Sequence, residues 1–157
     1  MPSSSSKISH RIQGNALVLL QFGLIVSLIL MTNPADALRA GHLAVWGILG
    51  ASALVGLAAV LANPPGNFNI RPDPKPGGRL VEHGIYRRVR HPMYTAVTLF
   101  GLGCAAATPS ANAWLAAGFL FLVLVVKAMA EERALCRVHE GYADYMRRTE
   151  RFVPKVF

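Results

Sequence analysis

Two charge-free apolar runs, Asn15 to Met31 and Leu43 to Ala62, constrain this chain more than any other feature. At ~1.5 Å of rise per residue, each can cross the ~30 Å hydrocarbon layer of a bilayer as a helix. A backbone facing lipid has to satisfy its own N–H and C=O groups, which a helix does within one segment. Two shorter runs follow, Met93 to Ala107 and Ala113 to Val126, separated only by Thr108 to Asn112 with Pro109 as the breaker. They read as an antiparallel helical hairpin. Composition agrees, since 53% hydrophobic against 15% charged residues is unusual for a soluble domain of 157 residues. The expected fold class is an all-α integral membrane protein with about four transmembrane helices, the last two forming the hairpin.

The charges orient that frame. With the amino terminus cytoplasmic, every one of the 16 Lys and Arg residues lies on the inner side except Arg39. This is the positive-inside bias, and it accounts for the net charge of +8 through topology and anionic phospholipid headgroups. No nucleic-acid module accompanies the basic segments, so nucleic acid is not an expected partner. The polar start MPSSSSKISHRIQ has no small-residue cleavage site after a short apolar core. It reads as a disordered cytoplasmic tail over 1–14, followed by two transmembrane helices over 15–62 and a core over 63–157. Cys104 and Cys136 should lie at different depths, which disfavours a disulfide, and the five histidines show no paired metal-ligand spacing.

No Walker loop, nucleophile elbow or H-E-x-x-H motif is present, and Gly101-Leu102-Gly103 sits inside an apolar run, where it predicts close helix contact. Any chemistry must come from the two polar segments, 63–91 and 127–157, which the hairpin brings to one membrane face. The first opens NPPGNFNIRPDPKPGGRLVEHGIY, whose prolines and glycines forbid a long helix. It is either an ordered cradle or a flexible linker. In the second, Lys127, Glu131 and Leu135 fall four apart on one helix face. Lys127 and Glu131 then either form an i, i+4 ion pair, or Glu131 faces the loop and binds a ligand.

Three stretches, GNFN, LVEHGIYRRVRHPMY and EERALCRVHEGYADYMRRTERFVP, resemble in order and spacing the carboxy-terminal core of the isoprenylcysteine carboxyl methyltransferase family and its bacterial relatives. The resemblance covers about residues 56 to 157. Integral membrane phospholipid methyltransferases share the E-E motif and the hairpin, and sterol reductases show a more distant likeness. The resemblance implies a cytoplasm-facing pocket for S-adenosylmethionine, with Leu80, Val81, Tyr86, His91, Pro92, Met93, Tyr94 and Glu131 as cofactor-binding residues. It places Lys127 where eukaryotic members have an arginine implicated in substrate binding, keeping the charge without the bidentate fork. Glu132 is a further substrate-side candidate, which could instead pair with Arg133 or Arg137 and support the fold. Thr95-Ala96 and His139-Glu140-Gly141 depart from the family pattern.

The cofactor chemistry fits those letters. Glu131 can accept from an amino group or hydroxyl, His91 and loop N–H groups can donate, and Tyr86 and Tyr94 offer faces to an adenine or a sulfonium. Pro92 suits the first turn of a helix and fixes where His91 sits. Arg87, Arg88 and Arg90 read as anchors to phospholipid phosphates. The activity implied is in-line methyl transfer to an acceptor entering from the membrane, most simply O-methylation of an isoprenylcysteine-type carboxylate, with no catalytic residue assigned. A phospholipid, small-lipid or thiol acceptor is the alternative, and a nicotinamide-dependent sterol-reductase-like enzyme or a noncatalytic scaffold are rivals of other classes. The expected location is a multi-pass protein of the bacterial inner membrane with both termini cytoplasmic.

Overall fold

A computed structural model describes residues 4–38, 43–67 and 77–154. In chain order the helices are α1 (Ser4–Met31), the single turn α2 (Pro34–Ala37), α3 (Leu43–Ala62), α4 (Pro92–Ala106), α5 (Ala111–Val138) and α6 (Tyr142–Arg147), with a 3-10 turn at Gly84–Arg87 between α3 and α4. Among the described residues there is no strand, only an isolated parallel bridge between Val89 and Glu150. The all-helical class is as expected.

Three helices, Ile12–Met31 within α1, Leu43–Ala62 and Ala111–Val138, are long and apolar enough to cross a membrane. The expected first hairpin arm, α4, has 15 residues and is shorter than such a span, so about four becomes three by that measure. The tail expected to be disordered also differs, because α1 starts at Ser4 and carries the polar start straight into the apolar run. Nothing in Ser4 to Gln13 breaks a helix, as there is no Pro or Gly there, and a following apolar helix lets the polar segment propagate without a second nucleation.

Helix α4 lies between α3 and α5, and α1 packs across α5 and α4. Ser110 caps α5 by accepting from the Asn112 N–H at 3.3 Å, and Pro92 occupies the first turn of α4. The buried centre is Leu28, Cys104, Ala105, Ala113, Ala117, Leu120 and Leu124, where the small side chains admit close approach of the backbones. Large apolar residues point outward, among them Leu30 (81% exposed), Leu54 (69%) and Phe119 (59%), on the three long helices. Apolar faces of this extent suit lipid and not water.

The glycine pair does what its setting predicts. A Cβ on Gly101 would meet Leu120 Cδ2 at 3.0 Å, and one on Gly103 would fall on Leu49 Cδ2 and, at 2.8 Å, Leu49 Cγ. One glycine therefore admits α5 and the other α3. Gly103→Ala is expected to destabilise by about 1–3 kcal/mol through overpacking. A lower apparent melting temperature in detergent, with Gly23→Ala as an unobstructed control, checks this.

Candidate active site

Three local devices bring the polar segments together where α3 ends and α4 begins. The first is Asn67, whose side chain acts as a short stretch of backbone. Its Oδ1 accepts from the Arg79 N–H at 2.8 Å, while its Nδ2 donates to the Arg79 carbonyl at 2.9 Å and to Asn63 Oδ1 at 2.8 Å. Gly66 and Gly77, at φ +82° and +73°, supply turns on either side that other residues resist. The described ends of the proline-rich loop are thus pinned together, as a cradle requires. Arg71 and Lys75 within it, like Arg39 and Lys155, lie outside the described residues.

The second device is Tyr145 of α6, whose hydroxyl donates to the Tyr86 carbonyl at 2.7 Å and anchors the 3-10 turn. The third is the carboxy-terminal segment, which pairs with the chain just before α4. The Arg90 N–H donates to Glu150 O at 2.8 Å, the Glu150 N–H to Arg88 O at 3.0 Å and the His91 N–H to Arg151 O at 3.1 Å. Thr95 extends the grip by donating to Phe152 O at 2.8 Å. Thr95, a departure from the family pattern, is thus a structural tie.

Between these elements lies one cleft, and all eight residues expected to hold a cofactor line it: Leu80, Val81, Tyr86, His91, Pro92, Met93, Tyr94 and Glu131. Sequence reasoning had not singled out its other contributors, notably Asn63 and Asn67 at the end of α3 and Tyr142 and Tyr145 of α6. Their signals were visible as amides flanking Pro64-Pro65-Gly66 and tyrosines three apart in YADY.

The two candidates assigned to the substrate side do not line the cleft. Lys127 is buried in α5, donates to Gln21 Oε1 of α1 and lies 5.3 Å over the Tyr94 ring centre, so of the two alternatives the i, i+4 ion pair with Glu131 does not form. Glu132 is buried at the centre of an ion cluster. It accepts from Arg90 Nε at 2.9 Å, from Arg151 through Nε and Nη2 (2.7 Å for the latter), and lies 3.2 Å from His91 Nε2. Its partners are therefore Arg90 and Arg151, not Arg133 or Arg137, because successive helical residues differ in direction by about a quarter turn and Glu132 faces the carboxy-terminal segment. The same cluster corrects Arg90, expected as a phosphate anchor. Its guanidinium also donates to the carbonyls of Met146 and Thr149, whereas Arg87 and Arg88 are exposed.

Glu131, in contrast, faces the cleft and is 28% exposed at its side chain. The Tyr94 hydroxyl donates to its Oε2 at 3.0 Å, and His91 Nδ1 lies 3.7 Å from the same oxygen. His91 stacks on Tyr94, ring centres 5.3 Å apart and nearly parallel, so the imidazole sits between two carboxylates against an aromatic face. It occupies the position preceding α4 without capping it through its side chain. Burial pushes the Tyr86 hydroxyl up to about 12, partly offset by a hydrogen bond with Asn63 and reinforced by the Glu131 charge. Burial likewise raises Tyr142 and Tyr145, so all three phenols are neutral near pH 7. Tyr145 spends its proton on the Tyr86 carbonyl, which leaves Tyr86 and Tyr142 as donors to the cleft. The cleft thus offers one accessible carboxylate, neutral donors, aromatic faces and an apolar floor of Leu80, Val81, Met93 and Leu135.

Residues 66–141, just under half of the chain, match a family described as phospholipid methyltransferase. This is the family that isoprenylcysteine carboxyl methyltransferases share, and it bears out the resemblance read from the three sequence stretches. The matched span contains all eight residues of the expected cofactor set. No curated protein matches the chain.

Proposed function

Given a chain whose residues 66–141 match a family of membrane methyltransferases, we propose that the cleft binds S-adenosylmethionine and that the protein methylates a lipophilic acceptor. The observation that carries this reading is the convergence of eight residues from two distant polar segments on one lined cleft. The residues fit the group. Glu131 would accept from its amino group, the neutral donors Tyr86 and Tyr142 would serve its polar atoms, and Met93, Leu80 and Val81 would give adenine an apolar bed. When bound, the cofactor supplies an electrophilic methyl group on a sulfonium.

The chain's contribution is orientation and exclusion of water. Tyr94 fixes the Glu131 carboxylate, His91 fixes Tyr94 by stacking, and the carboxy-terminal segment fixes His91. An ionised carboxylate acceptor, with a pKa near ~3.5, has no proton to lose, so orientation and desolvation can carry the reaction. An amine acceptor would need a base. His91 is poorly placed for that, because both ring nitrogens face carboxylates. This favours O-methylation of an isoprenylcysteine-type carboxylate. The family description itself is the specific observation for the second reading, a phospholipid amine acceptor, with Glu131 as the remaining base.

In this proposal α4 crosses much of the bilayer between α3 and α5, the cleft opens to the cytoplasm, and both termini lie on that side of a bacterial inner membrane. The exposed Arg87 and Arg88 meet anionic phospholipid headgroups, and the acceptor enters sideways from the lipid. The test is calorimetric titration of the purified protein in detergent with S-adenosylmethionine and its demethylated product, with reduced nicotinamide dinucleotide as the comparison. Saturable binding of the first two alone is expected. Binding of the dinucleotide instead, or of none, would overturn the reading. Radiolabelled methyl transfer into prenylcysteine analogues against extracted phospholipids then separates the acceptors.

A further inference from the structure

Lys127 is 1% exposed within the apolar part of α5 and forms no ion pair among the described residues. Yet Glu131 is one helical turn away, at the i, i+4 spacing that lets lysine and glutamate meet, here with lysine first, the weaker of the two orders. In apolar surroundings such a pair is more strongly favoured than on a wet surface. The ammonium is instead held elsewhere. Gln21 of α1, itself 7% exposed, accepts from Nζ through Oε1, and the Tyr94 ring lies beneath it at 5.3 Å. Tyr94 in turn gives its hydroxyl to Glu131 Oε2. The order in space is amide, ammonium, aromatic ring, carboxylate.

We infer that Gln21 is a positioning residue that holds the Lys127 ammonium on the Tyr94 ring and away from Glu131, leaving that carboxylate open to a cationic group of a ligand in the cleft. The inference rests on the reading that the ligand is S-adenosylmethionine, whose α-amino group is that cation. Gln21 lies outside the family-matched residues 66–141, so it makes an amino-terminal helix a determinant of cofactor affinity. Without the Gln21 oxygen, the desolvated ammonium turns to the carboxylate one helical turn away, Glu131, and neutralises it.

The experiment is titration of the full chain with S-adenosylmethionine and with its demethylated product, for the parent, Gln21→Leu and the double variant Gln21→Leu/Lys127→Met. Gln21→Leu is expected to weaken both ligands about tenfold or more, the scale of one lost charge-assisted contact. Removing the lysine as well is expected to restore affinity to within about threefold of the parent, since no ammonium is left to occupy Glu131. A purely structural role for Gln21 would move the fold and the affinity together, since Lys127→Met also relieves an unpaired buried ammonium, so the apparent melting temperature is read for each variant. Affinity lost in Gln21→Leu and regained in the double variant at parent-like melting temperatures is the expected result, and affinity that falls and returns only with the melting temperature overturns the inference. Gln21→Asn, which retracts the amide by one methylene, provides the same comparison if the leucine variant does not fold. Parent-like affinity in the single variants, or a double variant no tighter than Gln21→Leu, overturns the inference. A parent that binds neither ligand removes the cofactor reading itself, a separate outcome.

Discussion

Glu131→Gln is expected to weaken S-adenosylmethionine binding by roughly 30-fold or more while leaving the protein folded. The substitution keeps the shape of the side chain and an oxygen for the Tyr94 hydroxyl, so what it removes is the carboxylate charge, toward His91 Nδ1 at 3.7 Å and toward the amino group of the proposed ligand. Hydrogen bonds to charged groups contribute about 1.5–3 kcal/mol, and each ~1.4 kcal/mol is tenfold in affinity. At 28% side-chain exposure, Glu131 contributes little to the fold, and the apparent melting temperature should stay close to that of the parent. Calorimetric titration with the cofactor checks the affinity and a thermal scan checks the fold. An affinity within about threefold of the parent would mean that the carboxylate is not the amino-group acceptor.

Its neighbour should behave in the opposite way. Glu132→Ala is expected to cost about 3–5 kcal/mol of stability, because it removes the buried carboxylate that accepts from both the Arg90 and Arg151 guanidiniums and lies beside the buried His91. Neither guanidinium sheds its charge to escape the loss, because arginine stays protonated with or without the carboxylate. A large drop in apparent melting temperature, or failure to purify as a single species in detergent, is the expected result. The two adjacent glutamates are then separable by measurement, one carrying affinity and the other the fold. A Glu132→Ala protein as heat-stable as the parent, yet unable to bind cofactor, would return Glu132 to the ligand side and undo the division.

That division shows how far the sequence was legible. Charge-free runs of membrane length, the glycines that admit neighbouring helices, and the two segments that converge on the cleft were all readable, because each is a local pattern with a local cause. All eight expected cofactor residues line the cleft for the same reason, since they lie in two compact motifs. What escaped depends on partners distant in the chain. Glu131 and Glu132 are the same residue type one position apart, and only the path of the carboxy-terminal segment decides which faces the cleft and which meets Arg151. Arg90 looks like Arg87 and Arg88 until Met146 and Thr149 present their carbonyls to it. Gln21 carried no motif at all, and its contact with Lys127 spans most of the chain. The short α4 was legible as a run of the right length, whereas the start of α1 at Ser4 was not, because a polar segment joined to an apolar helix carries no pattern of its own.

The tie between residues 88–91 and 149–152 carries an implication for biosynthesis. His91 owes its setting to Glu132 and Arg151, and Thr95 to Phe152, so a ribosome that has delivered every apolar helix to the membrane has still not made a finished pocket. Only with residues 149–152 in place does the wall close, so a chain stopped before them is expected to keep its apolar helices and lack the finished cleft.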